Sequence, residues 1–369
     1  MKRIISLILV LLMFNINIYS EEEDNTALIL MEAETGAVLQ SSNADLILPS
    51  GTLVKLMSQL IFTENIDSGN LSLDTIVTAS SNVYGMKGAS IWLSSGEKMS
   101  VSDLLKASII GNANDATAAL AEHISGTQEK FTALMNQRAV ELGMTNTVFK
   151  DCTGLDETQT TTAYDMGLLC RELTKHKVLT PFMSTWRDFI RGEDTELVNE
   201  NTLVKSLDGI IGLKAGHSGE TYSLALAAER DNKIFIAVIL NSKDKDKRFG
   251  QGKLMINSGF SKYNVTNPYF SSEFIKPVKV KKGVDTAVDI EPLELTSLLV
   301  DMGKEDEITA EIFLPEYITA PIKKGQKIGV VAFYIDEHLL YETPLITKKS
   351  IEKFTYKKAF FKLIKKTLS

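Results

Sequence analysis

The sequence predicts an α+β domain, followed by a small all-β domain and a basic amphipathic helix at the C-terminus. In residues 52–65, 101–125 and 128–142 apolar residues recur every three or four positions, as they do along one face of a helix. These helical segments lie between two strand-like hairpins, which predicts one sheet that pairs the early hairpin with the late one. After residue 263, β-prone runs follow one another about every ten residues, as in an all-β module.

The two hairpins of the first domain are predicted from short apolar runs around polar turns. Residues 28–31 and 38–40 flank a turn at residues 34–36 and predict the early hairpin. Residues 221–229 and 234–241 predict the late hairpin in the same way.

Helices are predicted where apolar residues recur at spacings of three and four. The predicted helices cover residues 52–65, 101–125 and 128–142. Ser102 and Asp103 are candidate caps of the second helix.

The all-β domain is predicted from runs that are separated by glycine, proline or charged turns, with its boundary near residues 263–267. The runs are residues 277–280, 284–290, 297–300, 308–313, 327–333 and 338–345.

The N-terminus has the parts of a secretory signal peptide. Lys2 and Arg3 precede an apolar run at residues 4–14, and a polar stretch closes at Ser20 before four acidic residues. The run is short for a bilayer span, which favours a cleaved signal, with an uncleaved membrane anchor as the alternative. Both readings predict that the body of the protein is exported.

The C-terminal tail is predicted to lie on an anionic membrane surface. On a helical wheel, residues 354–368 separate apolar from basic side chains. The apolar side holds Phe360, Phe361, Leu363, Ile364 and Leu368, and the basic side holds Lys358, Lys362, Lys365 and Lys366, with Lys357 as the exception. A disordered basic tail is the alternative.

The charge distribution argues against nucleic acid as a partner. The 369 residues carry a formal charge of −7, although residues 348–366 alone carry eight lysines and one acid. Without that stretch and the Lys2–Arg3 pair, the rest of the chain is at −16. An acidic body is repelled by a phosphate backbone. The composition, with 44% hydrophobic and 24% charged residues, also excludes a wholly disordered chain.

Export would allow Cys152 and Cys170 to form a disulfide. Cys170, however, lies in a helical apolar pattern, where a buried free thiol is the commoner outcome. Both alternatives stay open from the sequence.

A hydroxyl and a lysine stand one turn apart at the start of the first predicted helix. Thr52 and Lys55 are three positions apart and therefore share a helix face. A lysine whose pKa is lowered by burial can take the proton of such a hydroxyl, which is an arrangement for acyl transfer. Ser50 is five positions from Lys55 and is the poorer nucleophile candidate. The alternative without catalytic function is a helix cap followed by a solvated lysine.

Two further segments contain residues suited to binding. Asn112 to Asp115 interrupt an apolar helical pattern with amides and an acid, which predicts a break lined by side-chain amides or a local turn. Lys214 and Gly216 precede the late hairpin, where an edge strand can present a cation and bare backbone to an extended substrate. A simple turn is the alternative there.

Taken in order, the three segments resemble the Ser-x-x-Lys, Ser-x-Asn and Lys-Thr-Gly motifs of the low-molecular-mass penicillin-binding proteins, the D-alanyl-D-alanine carboxypeptidases of serine peptidase family S11. The resemblance covers nearly the whole mature chain and includes residues 30–39, 114–116, 121–124, 153–155, 162–166, 212–214 and 320–329. It implies a penicillin-binding, β-lactamase-like transpeptidase domain with a helical subdomain. A class A β-lactamase shares the motif order, but no convincing Glu-x-x-x-Asn element follows Thr153, and the β module and tail would be surplus.

The resemblance also implies roles for the motif residues. Residue 52 would attack the D-alanyl-D-alanine carbonyl with Lys55 as its general base, and residue 112 would relay a proton. Asn114 would hold the substrate amide. The segment Lys214, Ala215, Gly216 would dock the terminal carboxylate and contribute backbone to the oxyanion site, with His217 at the groove edge.

Three motif positions depart from the family pattern. Thr52 adds a methyl group beside the attack path, where a misplacement of about 1 Å can cost roughly a hundredfold in rate. Asn112 cannot pass a proton, a role worth about 10²–10⁴ in rate. Ala215 removes a hydroxyl partner for a charged carboxylate, worth about 1.5–3 kcal/mol. A slow carboxypeptidase that works through a threonyl ester is therefore expected, and a catalytically silent relative that binds muropeptides or a partner is the alternative.

The resulting organisation is a signal peptide at residues 1–20, a carboxypeptidase-like domain at 21–263, an all-β domain at 264–346 and a membrane-surface anchor at 347–369. The expected ligands are peptidoglycan pentapeptides or muropeptides, and β-lactam antibiotics. No metal or nucleotide cofactor is expected, and the four histidines are scattered along the chain. The expected location is the periplasm or the outer face of the cytoplasmic membrane.

Overall fold

The computed structural model describes residues 25–268 and 275–355. A five-stranded antiparallel sheet forms the centre of the first domain, in the strand order β2-β1-β11-β10-β9. Its strands are β1 (Ala27–Glu32), β2 (Val38–Ser42), β9 (Ile210–Ser218), β10 (Thr221–Arg230) and β11 (Lys233–Ser242). Strand β1 pairs with β11 from Ala27 opposite Leu240 to Glu32 opposite Phe235. The prediction that the two hairpins share one sheet is confirmed.

Seven α-helices lie in the described part of the chain. They are α1 (Lys55–Asp67), α2 (Val101–Ile109), α3 (Asn114–Ser125), α4 (Gln128–Glu141), α5 (Ala163–Thr174), α6 (Thr180–Met183) and α7 (Lys247–Lys262). Short 3-10 helices cover Gly51–Val54, Thr202–Lys205 and Glu305–Glu307.

The central sheet is covered on both faces because its side chains alternate between two apolar clusters. Ile29 and Val238 belong to the large cluster that also contains residues of α1, α3 and α5. Leu30 and Ile239 point to the opposite face and pack with Ile256 of α7. The order of layers is therefore helices, sheet and helix α7.

The first domain also contains three two-stranded ribbons. They are β3 (Leu48–Pro49) with β6 (Thr160–Thr161), β4 (Ile76–Thr78) with β5 (Lys98–Ser100), and β7 (Arg187–Ile190) with β8 (Thr195–Val198).

The C-terminal part of the described chain is all-β apart from one 3-10 turn. Its strands are β12 (Tyr263–Thr266), β13 (Val278–Lys281), β14 (Ala287–Val288), β15 (Ile290–Pro292), β16 (Leu298–Asp301), β17 (Thr309–Phe313), β18 (Tyr317–Thr319), β19 (Lys327–Ile335) and β20 (His338–Thr347). Each of the six predicted runs overlaps a strand. Strands β12 and β18 lie outside the predicted runs, and only the first residue of β15 falls within one. Val331, Phe333 and Leu345 form the centre of a separate apolar cluster here.

The predicted second helix is broken where the amides interrupt it, as expected. Helix α2 ends at Ile109, and α3 begins at Asn114. The predicted caps of α2 are wrong, since strand β5 runs as far as Ser100 and the helix starts directly after it. The Ser100 hydroxyl oxygen accepts a hydrogen bond from the Asp103 amide at 3.1 Å.

Cys152 and Cys170 are both free and buried, which settles the disulfide question in favour of buried thiols. Burial raises the pKa of each thiol to about 12. Both groups are therefore neutral at physiological pH.

No helix among the described residues combines the length and apolar character that a bilayer crossing requires. The predicted signal peptide at residues 1–20 and nearly all of the predicted tail helix, residues 356–369, lie outside the described residues.

Candidate active site

Thr52 lies in the 3-10 helix that leads into α1, at the edge of the central sheet. Gly51 has a φ of +50°, and a Cβ atom there would lie 2.2 Å from the carbonyl oxygen of His217. Only glycine permits this close approach, which brings the 3-10 helix against strand β9. A Cβ on Gly216 would likewise lie 2.6 Å from Thr52 Oγ1. The backbone of β9 is therefore pressed against the Thr52 hydroxyl.

Ser50, the alternative nucleophile, does not share this position. Its side chain is 1% exposed, and its hydroxyl has no hydrogen-bond partner among the described residues. Thr52 is half-buried and lines an open cleft. Accessibility thus favours Thr52 over Ser50.

Lys55 is completely buried at the first turn of α1. Its Nζ donates hydrogen bonds to Asn114 Oδ1 at 2.6 Å and to the Thr153 carbonyl oxygen at 2.9 Å. Burial is the main cause that lowers the pKa of Lys55 well below its usual value, and the positive charge of Lys214 is the second. Both effects favour the neutral amine.

The hydrogen bonds of Lys55 also suit the neutral form. A neutral amine has two N–H groups and one lone pair, whereas an ammonium has three N–H groups. Asn114 and Thr153 accept two bonds, and no third acceptor for Nζ is seen among the described residues. The lone pair is therefore left free to accept a proton.

Asn112 and Asn114 lie at the break between α2 and α3. Asn112 has a φ of +55°, a conformation that asparagine tolerates better than most residues. Its Oδ1 accepts a hydrogen bond from Lys214 Nζ at 2.7 Å, and its Nδ2 donates to Glu200 Oε2 at 3.3 Å. Asn114 Nδ2 donates to the Lys87 carbonyl oxygen at 2.7 Å. The Asn112 side chain thus links Lys214 to Glu200, and the Asn114 side chain links Lys55 to the Lys87 backbone.

Strand β9 forms the edge of the sheet, as its sequence suggested, and carries the third motif. Lys214 is 4% exposed, and burial lowers its pKa to about 8. Ala215 points the other way, into the apolar cluster that includes Phe249, Met255 and Ile256 of α7. The His217 amide donates a hydrogen bond to Thr52 Oγ1 at 3.3 Å. That amide can stabilise negative charge that develops beside the Thr52 oxygen.

A cleft of about 210 Å³ joins these elements. Its lining consists of Thr52, Gly88, Ala89, Asn112, Asn114, Gly154, Leu155, Glu157, Glu200, His217, Ser218 and Gly219. Four of the residues predicted from sequence line the cleft, namely Thr52, Asn112, Asn114 and His217. Lys55 and Lys214 do not line it, but each donates a hydrogen bond to one of the asparagines that do.

Sequence reasoning missed three residues of the site. The Thr153 carbonyl holds Lys55, Glu200 bonds to Asn112, and Arg248 donates hydrogen bonds to the carbonyl oxygens of Gly216 and Ser223. Arg248 is 2% exposed, and its two hydrogen bonds hold the backbones of β9 and β10 together. The spacing of Phe249, Gly252, Met255, Ile256 and Gly259 could have indicated helix α7 and hence Arg248.

One group of acidic and histidine side chains outside the cleft has the spacing of metal ligands. It consists of Glu64, Glu172 and His176. Arg138 bridges the two glutamates at 2.8 and 3.1 Å, and His176 Nδ1 lies 2.5 Å from Asp67 Oδ2. The cluster is therefore an ion-pair network that fastens α1, α4 and α5 together.

Comparison with known proteins shows which families this chain resembles. A family model described as D-alanyl-D-alanine carboxypeptidase matches residues 17–244, and one described as the C-terminal domain of penicillin-binding protein 5 matches residues 263–353. The chain is 33% identical over 387 residues to D-alanyl-D-alanine carboxypeptidase DacF of Bacillus subtilis, a match that covers 100% of this chain and 98% of the relative.

Solved structures agree with this match. Penicillin binding protein 5 from Haemophilus influenzae is 25% identical with a TM-score of 0.80, over 89% of this chain and 97% of that one. Penicillin-Binding Protein D2 from Listeria monocytogenes, solved in an ampicillin-bound form, is 29% identical with a TM-score of 0.58, over 63% of this chain and 96% of that one.

The sheet, the helices that cover it and the all-β domain that follows define a protein of the penicillin-binding class. Within that class, the chain belongs to the D-alanyl-D-alanine carboxypeptidase family, serine peptidase family S11. The family resemblance predicted from the motifs is confirmed.

Proposed function

We propose that this protein is a D-alanyl-D-alanine carboxypeptidase that removes the terminal D-alanine from peptidoglycan pentapeptide stems through an acyl-enzyme on Thr52. The observation that carries the proposal is the buried Lys55 amine, whose two N–H groups are occupied by Asn114 and Thr153. Family membership supports the reaction type.

The proposed reaction has two steps. Thr52 Oγ1 attacks the carbonyl carbon of the penultimate D-alanine, and its proton passes to Lys55 Nζ. The carbonyl oxygen gains negative charge next to the His217 amide. The peptide bond breaks, and the proton passes from Lys55 to the nitrogen of the departing D-alanine. Water then hydrolyses the threonyl ester and regenerates the hydroxyl.

Lys214 is proposed to hold the terminal carboxylate, and Gly216 to leave room for Thr52. Asn114 is bonded to Lys55 and to the Lys87 carbonyl, so its proposed contact with the substrate amide requires the Lys87 bond to be exchanged. Asn112 connects Lys214 to the cleft, which is a positioning role that does not require proton transfer.

The direct test is release of D-alanine. The purified protein without residues 1–20 is incubated with a peptide that ends in D-Ala-D-Ala, and free D-alanine is measured. We expect release that depends on Thr52 and is lost in the isosteric Thr52→Val variant. Release at the same rate from both proteins would reject the proposal, and no release from either would favour the silent muropeptide-binding alternative.

The rate is expected to depend on pH with an alkaline limit near pH 8. Lys214 must be protonated to attract a carboxylate, and its pKa of about 8 means that this charge is lost as the pH rises above 8. Lys55 must be neutral, so kcat/KM should rise as the pH increases through its lowered pKa. Replacement of Lys214 by Arg should remove the alkaline fall, because the guanidinium stays charged. An alkaline limb that persists in this variant would contradict the assignment.

We further propose that the chain works outside the cytoplasmic membrane, divided as 21–263, 264–346 and 347–369, with the last segment as a peripheral anchor. β-lactam antibiotics are proposed as covalent ligands of the cleft.

Deletion of residues 350–369 should shift the protein from anionic vesicles to the soluble fraction, most clearly at low salt. Equal partitioning of both proteins would contradict the anchor.

A further inference from the structure

Glu200 is a carboxylate at the rim of the cleft to which the proposed reaction assigns no role. It is exposed, lines the cleft, and accepts a hydrogen bond from Asn112 Nδ2 at 3.3 Å. The other end of the same Asn112 amide accepts from Lys214 Nζ at 2.7 Å. A protonated lysine can only donate and a carboxylate can only accept, so these neighbours fix the orientation of the amide. Lys214 and Glu200 are thus opposite charges at the two ends of one side-chain amide.

The backbone on either side of Glu200 is held in place by two buried asparagines. Asn199 is 5% exposed and donates from Nδ2 to the carbonyl oxygens of Met183 at 3.3 Å and Thr185 at 3.0 Å. Its Oδ1 accepts a hydrogen bond from the backbone N–H of Asn201 at 2.9 Å. Asn201 Oδ1 in turn accepts from the backbone N–H of Leu203 and so caps the 3-10 helix that follows. Glu200 is therefore presented to the cleft from a fixed backbone segment.

The charge of Glu200 acts on the basic groups of the site. It raises the pKa of Lys55, Lys214 and Arg248, in each case against the larger effect of burial. A carboxylate whose charge is felt by three buried basic groups will also act on a charged substrate group that enters beside Asn112.

The geometry points to Glu200 as a specificity-determining residue that favours a departing residue with a positively charged side chain over one with a neutral or acidic side chain. Lys214 would face the terminal carboxylate, as in the proposed function on which this inference rests, and Glu200 would face the side-chain cation. A basic D-amino acid carries both charges and complements both protein groups. An acidic residue would place a carboxylate against Glu200, which like-charge repulsion disfavours.

The test compares three peptides that differ only in the last residue: D-Ala-D-Lys, D-Ala-D-Gln and D-Ala-D-Glu. For the protein with Glu200 we expect kcat/KM to fall in that order, with a ratio of about ten between the D-Lys and D-Glu peptides at low salt. Replacement of Glu200 by Gln should bring the ratio close to one. The ratio is insensitive to changes in the pKa of Lys55 or Lys214, because these affect all three peptides equally.

Glu220→Gln is the matched control. Glu220 is exposed in the turn after β9, and its loss changes the net charge by the same amount. The ratio should stay near ten in this variant. An unchanged ratio in Glu200→Gln, or an equal change in both variants, would overturn the inference.

Dissociation constants for the same peptides, measured by equilibrium binding to the Thr52→Val variant, separate this inference from the proposed function. The order of affinity should follow the charge even without turnover. Charge selection in binding without D-alanine release would reject the proposed function alone, whereas release without charge selection would reject the role of Glu200 alone.

Discussion

Replacement of Lys55 by Met is expected to lower kcat/KM for D-alanine release by between about 10² and 10⁴. The methionine side chain has a similar length and fits a buried site, but it cannot accept the Thr52 proton. Steady-state release of D-alanine measures the loss.

A loss of folding could imitate this result, because the substitution leaves Asn114 Oδ1 and the Thr153 carbonyl without their donor. Thermal unfolding of the variant therefore accompanies the assay. Lys98→Met, which replaces an exposed lysine of strand β5, should retain full activity. A folded Lys55→Met protein with undiminished turnover would exclude Lys55 as the base.

Replacement of Thr52 by Ser should raise the rate of acylation, by about tenfold and at most roughly a hundredfold. The threonine methyl group sits on the carbon that bears the hydroxyl, and β-branching restricts the rotation that attack requires. Strand β9 already crowds this hydroxyl, since a Cβ atom on Gly216 would lie 2.6 Å from Thr52 Oγ1. Removal of the methyl group relieves part of that restriction.

The Thr52→Val variant completes the comparison, since it keeps the methyl group and loses the hydroxyl. We expect the order Ser, Thr, Val from fastest to inactive in single-turnover acylation. A serine variant slower than the native protein would show that the cleft is adapted to threonine.

Features that depend on nearby residues could be predicted from the sequence. The two hairpins follow from alternation within a few residues, and the break before Asn114 follows from amides that disrupt an apolar helix. The proximity of three distant motifs came from the family resemblance rather than from any local pattern.

Contacts between distant segments could not be predicted in this way. Glu200 is set beside Asn112 by hydrogen bonds of Asn199 to the last residue of α6 and to Thr185 just after it. The Thr153 carbonyl accepts a hydrogen bond from Lys55, which lies 98 positions away in the sequence. Every residue type has a backbone carbonyl, so the sequence gives no signal for this partner of Lys55. The cap of α2 was misplaced by two residues because the end of β5 was not predicted.

The most direct measurement is the intact mass of the protein after incubation with a labelled penicillin, followed by peptide mapping of the adduct. Our account predicts one equivalent of label, attached at Thr52 and absent from the Lys55→Met protein. Label on Ser50, or none on the folded native protein, would contradict it.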